Sequence, residues 1–172
     1  MNDDLLRLFA IPGVIVKVPT IWLLKNCMID ETILYNAHLM VRYKTVEEII
    51  YGGNKWLAIY NDMQIKRVAQ RSIIPREMAD HHLAFRQLIH SMASEGFNSN
   101  YPILVNRKFR LINGSHRLSI ALFLKMKYVY VTMNSDTIDM DPEYSLQWFE
   151  ENGFEDILDD IRETYKTIIG EQ

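Results

Sequence analysis

The residues whose types and spacing are suited to chemistry lie in one turn, Asn113-Gly114-Ser115-His116-Arg117. It follows the apolar run Phe109-Arg110-Leu111-Ile112 and precedes Leu118, Ala121 and Leu122, which have helical spacing. A glycine between a strand and a helix lets the backbone come close to an anion. The free N–H groups of the helix start then point at that anion with the favourable end of the helix dipole. Arg117 adds a planar cationic fork and His116 a second donor. Asn113, Gly114, Ser115, His116 and Arg117 are therefore the candidate phosphate-binding residues.

The elements around the turn follow from local patterns. Met78 to Ala93 carries a broad apolar face (Ala79, Leu83, Phe85, Leu88, Ile89, Met92) and predicts a helix ending at Gly96. Pro102 to Val105 and Phe109 to Ile112 predict a hairpin around Asn106-Arg107-Lys108. A helix is expected from Arg117 to Lys125, and a strand over Tyr128 to Met133. Trp56 to Tyr60 and Ile65 to Val68 are short apolar runs, expected as strands. Upstream, Asp3 to Phe9 predicts a helical turn or two. Val14 to Leu24, interrupted by Pro19, predicts an edge strand or two extended pieces. A helix is expected from Asp30, and Thr45-Val46-Glu47-Glu48 reads as the start of another that Gly52-Gly53 ends. After Asp141-Pro142, helices are expected from about Pro142 to Asn152 and from Glu155 to Ile169.

The order Tyr101-Pro102-Ile103-Leu104-Val105, a basic turn, then Leu111-Ile112-Asn113-Gly114-Ser115-His116-Arg117-Leu118 and Val129-Tyr130-Val131 resembles the ParB/sulfiredoxin superfamily. There a Pro-Ile-(Leu/Val)-Val strand precedes a Gly-x-(His/Arg)-Arg turn and helix. The resemblance covers about Ile65 to Met133, less than half of the chain. It implies an α/β (α+β) fold with a small mixed sheet. The corresponding organisation is an N-terminal helical extension (1–55), a nucleotide-binding core (56–135) and a C-terminal helical flap (136–172).

The turn is most similar to the free serine kinase-like branch, which has Asp-Gly-His-His-Arg. Sulfiredoxins carry a catalytic cysteine where this chain has Ser115, and partitioning ParB proteins continue into a DNA-binding domain for which the acidic tail is too short. The resemblance implies ATP-dependent phosphoryl transfer to a small hydroxylated acceptor, with Mg2+ accompanying ATP or CTP. Asn113 replaces the aspartate of that branch and cannot act as a base. Glu77, with Asp80 as a second candidate, falls near the glutamate that serves as general base there, and His116 completes the candidate catalytic set. The tail Tyr144-Ser145-Leu146-Gln147-Trp148-Phe149 to Phe154 is similar to tails of ParB-like proteins of surface-polysaccharide gene clusters, which implies a sugar or polyol acceptor. Two alternatives stay open: a CTP- or ATP-binding switch without turnover, and a ParB-like DNA-associated regulator.

Bulk properties bound these readings. Net charge is −3, so a nucleic-acid partner is disfavoured, and Lys66, Arg67, Arg71 and Arg76 form the best local basic patch. A single cysteine, Cys27, excludes an intrachain disulfide and a cysteine-built zinc site. His81, His82 and His90 lack metal-ligand spacing, so no side-chain metal site is expected, and His38 reads as a surface or core histidine. The acidic start and the lack of a long apolar run suggest a cytoplasmic protein with no membrane partner. A homodimer is compatible with the sequence.

Overall fold

The structure, a computed structural model, describes residues 11, 13–27, 36–70, 78–107, 109–134 and 145–170, with the backbone alone at 68–70 and 78–81. The turns expected over Asp3–Phe9, the start of the helix expected from Asp30, and Glu77 lie outside the described residues.

Among the described residues four strands form one mixed sheet in the order β1-β4-β2-β3: β1 (Ile15–Pro19), β2 (Ile103–Val105), β3 (Leu111–Asn113) and β4 (Tyr128–Met133). β1 runs antiparallel to β4, with Val16 opposite Val131 and Val18 opposite Val129. β2 lies parallel to β4 and antiparallel to β3. Strict alternation buries Val16 and Val18 and exposes Ile15, Lys17 and Pro19. A proline without an N–H is tolerated there because β1 is an edge strand.

Among the described residues seven α-helices accompany the sheet: α1 (Thr20–Cys27), α2 (His38–Tyr51), α3 (Lys55–Gln70), α4 (Met78–Glu95), α5 (Ser115–Phe123), α6 (Leu146–Glu151) and α7 (Leu158–Gly170), the last preceded by a short 3-10 turn (Glu155–Ile157). This is the expected α/β (α+β) class with a small mixed sheet. Among the described residues no helix is long and apolar enough to cross a membrane.

Four sequence expectations are corrected. Thr20 to Leu24, expected to be extended, belongs to α1, and only Ile15–Pro19 of that stretch is strand. Trp56 to Val68 is one helix, not two strands, because Trp56, Tyr60 and Met63 stand at i, i+4 and i+7 and are all buried. Thr45 does not begin a helix. It lies within α2, its hydroxyl 2.8 Å from the Val41 carbonyl oxygen one turn back and 3.2 Å from that of Trp56. Residues 1–55, expected as an appended helical extension, include β1, which is paired in the sheet, and α2, which packs along α5.

One continuous apolar cluster joins Val16 and Val18 with Leu39, Val131, Leu118 and Ile120, and reaches Phe149 and Ile161 of the tail. The aromatic stripe of the tail packs into it. Trp148, Phe149 and Phe154 are buried, with ring centroids 5.2 to 6.0 Å apart. Ser145 starts α6 by accepting a hydrogen bond from the Trp148 N–H at 3.1 Å.

Candidate functional site at the start of α5

Gly114 is the N-cap of α5, in the left-handed region with φ 98°. A Cβ there would stand 3.1 Å from the Ile103 Cα and Cγ1 atoms. Both the backbone conformation and the close approach of β2 require glycine. The partner that approaches is strand backbone, so Gly114 is needed with or without an anion. Leu118 N–H makes the first bond back to Gly114 at 2.9 Å, and the N–H groups of Ser115, His116 and Arg117 form the leading turn, which has no intrahelical acceptors.

Ser119, fully buried, holds this helix in place. Its hydroxyl lies 2.9 Å from the Ser115 carbonyl oxygen and 3.1 Å from that of Leu39 in α2. The opening turn of α2 is thereby fixed beside the opening turn of α5. His38 and Arg42, one turn apart on α2, are both 2% exposed and face the same region.

The His116 ring does not project outward as a simple anion donor. Its Nε2 lies 2.8 Å from the Tyr60 hydroxyl, and its ring stands edge-on to Phe85 at 4.7 Å. Arg42 also hydrogen-bonds the Tyr60 side chain, with its Cζ 6.0 Å from the ring centroid. Burial raises the pKa of Tyr60, against the opposing fields of Arg42 and Arg67, so the phenol stays protonated. The hydroxyl accepts from Arg42, and the direction of its bond to Nε2 follows the state of the imidazole: a neutral ring with a bare Nε2 accepts from the hydroxyl, and a protonated ring donates to it. His38 is held well below the ordinary imidazole range, first by burial and then by the positive fields of Arg42, Arg67 and His116. One small volume thus receives positive groups from α2, α3 and α5.

Arg117 departs from the role read from sequence. Its Nη1 donates to the carbonyl oxygens of Tyr101 and of Pro102, the latter at 3.0 Å, tying the approach to β2 against α5. Burial lowers its pKa somewhat. That arm of the guanidinium holds backbone and is not a free phosphate fork. Asn113 is exposed at the end of β3, and Ser115 is half-buried.

No family model, curated protein or solved structure matches the chain.

The remaining sequence candidates scatter. Asp80 lies in the first turn of α4, and the His82 Nε2 pairs with the Asn61 Oδ1. His90 is exposed. Among the described residues no group of three or more His, Cys, Asp or Glu is placed to hold a metal ion. The basic patch divides: Lys66 donates to the Asn152 carbonyl oxygen and covers the Phe154 ring at 4.5 Å, whereas Arg67 bonds Gln64 at 2.8 Å and acts on His38 and Tyr60. Arg71 and Arg76 lie outside the described residues. Arg42, Tyr60 and Arg67 were missed as members of the turn's surroundings. One signal was available: His38 and Arg42 stand four apart among the apolar residues Ala37, Leu39, Met40 and Val41.

Proposed function

We propose that the chain binds a nucleotide by its phosphates at the leading turn of α5, and that phosphoryl transfer to a small hydroxylated acceptor is the activity built on that binding. The observation that carries the reading is the convergence of Arg42, Arg67 and His116 around Tyr60. An anion placed among these groups is attracted by each of them, and a multivalent anion most strongly. The unsatisfied N–H groups of the leading turn add the favourable end of the helix dipole. Tyr60 orients His116, Arg42 orients Tyr60, and Gly114 and Arg117 hold the turn in shape.

Arg42, Tyr60, Arg67, His38 and Phe85 carry no carboxylate. A general base for the acceptor hydroxyl is therefore assigned to Glu77 or Asp80, on the resemblance to the kinase-like branch. The same carboxylates are the ones suited to steady a magnesium ion, which would travel with ATP or CTP and offset phosphate charge. A cytoplasmic setting is proposed from the lone Cys27, whose buried thiol lies 3.1 Å from the Phe109 carbonyl oxygen.

A nucleotide-gated switch without turnover is the second reading. It is favoured by the wholly cationic and aromatic character of the five residues around His116. Incubation with ATP, magnesium and panels of sugars, polyols and amino acids separates the two. Acceptor-dependent ADP formation supports transfer, and binding with no ADP above background supports the switch. Absence of any nucleotide binding overturns both.

A further inference from the structure

At the opposite end of α5 from His116, a cleft of about 580 Å³ opens between α1 and the turn that leads into β4. That volume suits a small molecule. Its walls are mainly apolar, with Trp22 from α1 and Leu122 and Met126 from the end of α5 and the following turn. Around them stand Lys25, Lys125 and Lys127, all exposed, and among the described residues that line the cleft there is no Asp or Glu. A chain with net charge −3 thus places three ammonium groups around one apolar hollow. The turn that carries two of them is tied to α1. Lys125 adopts φ 51° at the end of α5, and the carbonyl oxygens of Met126 and Lys127 are tied to Thr20 at the start of α1.

We infer that this cleft is a second binding site, independent of the phosphate site, for a small amphipathic anion: an apolar aliphatic or aromatic body carrying one carboxylate. The body would lie against Trp22, Leu122 and Met126, and the carboxylate would meet the lysines at the mouth. Apolar burial supplies affinity, and the lysines select for charge.

The test is displacement of anilinonaphthalene sulfonate fluorescence from the full chain by laurate, 1-naphthoate and the neutral dodecanol, repeated on Lys25→Glu/Lys127→Glu and on Lys25→Arg/Lys127→Arg. Both exchanged lysines are exposed, so matching circular dichroism and melting curves should certify the fold. Laurate or naphthoate is expected to displace the dye, the stronger of the two identifying an aliphatic or aromatic body, with dodecanol weaker. The glutamate variant is expected to weaken carboxylate binding roughly tenfold or more, and the arginine variant to retain it. Equal binding to wild type and the glutamate variant, dodecanol as effective as laurate, or no displacement by any carboxylate overturns the inference. The lysines would then serve only the carboxyl ends of α1 and α5. Failure here leaves the nucleotide response, measured on the same variants, unchanged.

Discussion

The hydroxyl of Tyr60, fully buried in α3, stands 2.8 Å from the Nε2 of His116 in the first turn of α5. The two residues are 56 apart in sequence. The bond orients an imidazole that the sequence alone reads as free to face a ligand.

Removing that hydroxyl should cost stability. Tyr60→Phe keeps the ring against Phe85 but leaves the His116 Nε2 and the Arg42 donor without this bond. The expected loss is about 1–3 kcal/mol in urea unfolding. Combined with His116→Gln, the loss should fall clearly short of the sum of the single changes, because both break the same contact. Strict additivity would show that the bond does not form.

Gly114→Ala should be destabilising by roughly 1–3 kcal/mol, since alanine must accept a positive φ and its Cβ would press on Ile103. For a chain of 172 residues this corresponds to a melting point about 2–12 °C lower. A melting temperature equal to wild type would refute the close packing of the turn on β2.

Arg117→Gln should loosen the approach to β2 more than it weakens ligand binding. Loss of the carbonyl contacts should lower stability by about 1–2 kcal/mol and raise amide exchange across Ile103–Val105. A variant with wild-type stability and abolished nucleotide affinity would restore Arg117 to the phosphate-binding role.

Stability should also depend on pH through His38. Its folded pKa is lowered, so below an unfolded pKa of roughly 6.5 the unfolded chain takes up a proton that the folded chain refuses. The contribution is fully present above that value. It is lost progressively as pH falls toward the folded pKa, at up to about 1.4 kcal/mol per pH unit. His38→Gln should have a shallower slope between pH 6.5 and 5 in chemical denaturation, and an unchanged slope would contradict this placement of His38.

The parts of the fold legible in the sequence were those written in short-range pattern. Tyr128 to Met133 alternates large residues in a run with one fate, and Met78 to Glu95 repeats apolar residues on one helical face up to Gly96. Trp56 to Gln70 was misread because its apolar residues cluster in two short runs, which hide the i, i+4, i+7 relation of Trp56, Tyr60 and Met63. The pairing of β1 with β4 joins residues more than a hundred positions apart, and no local signal records it. At the site, the turn from Asn113 to Arg117 was visible because glycine and helix start are contiguous. Its neighbours were not, because Arg42, Tyr60 and Arg67 meet His116 only once α2 and α3 have packed.

Nucleotide binding by the basic cluster is tested most directly by isothermal titration calorimetry of ATP and CTP, each with magnesium, into the wild-type chain and into Arg67→Ala. Arg67 is half-buried and bonded to Gln64 within its own helix, and matching circular dichroism and melting curves certify the fold of the variant. Saturable binding of at least one nucleotide, weakened about tenfold or more in the variant, is the predicted result. No heat of binding with either nucleotide, or equal affinity in both proteins, would contradict the assignment of this cluster to phosphate.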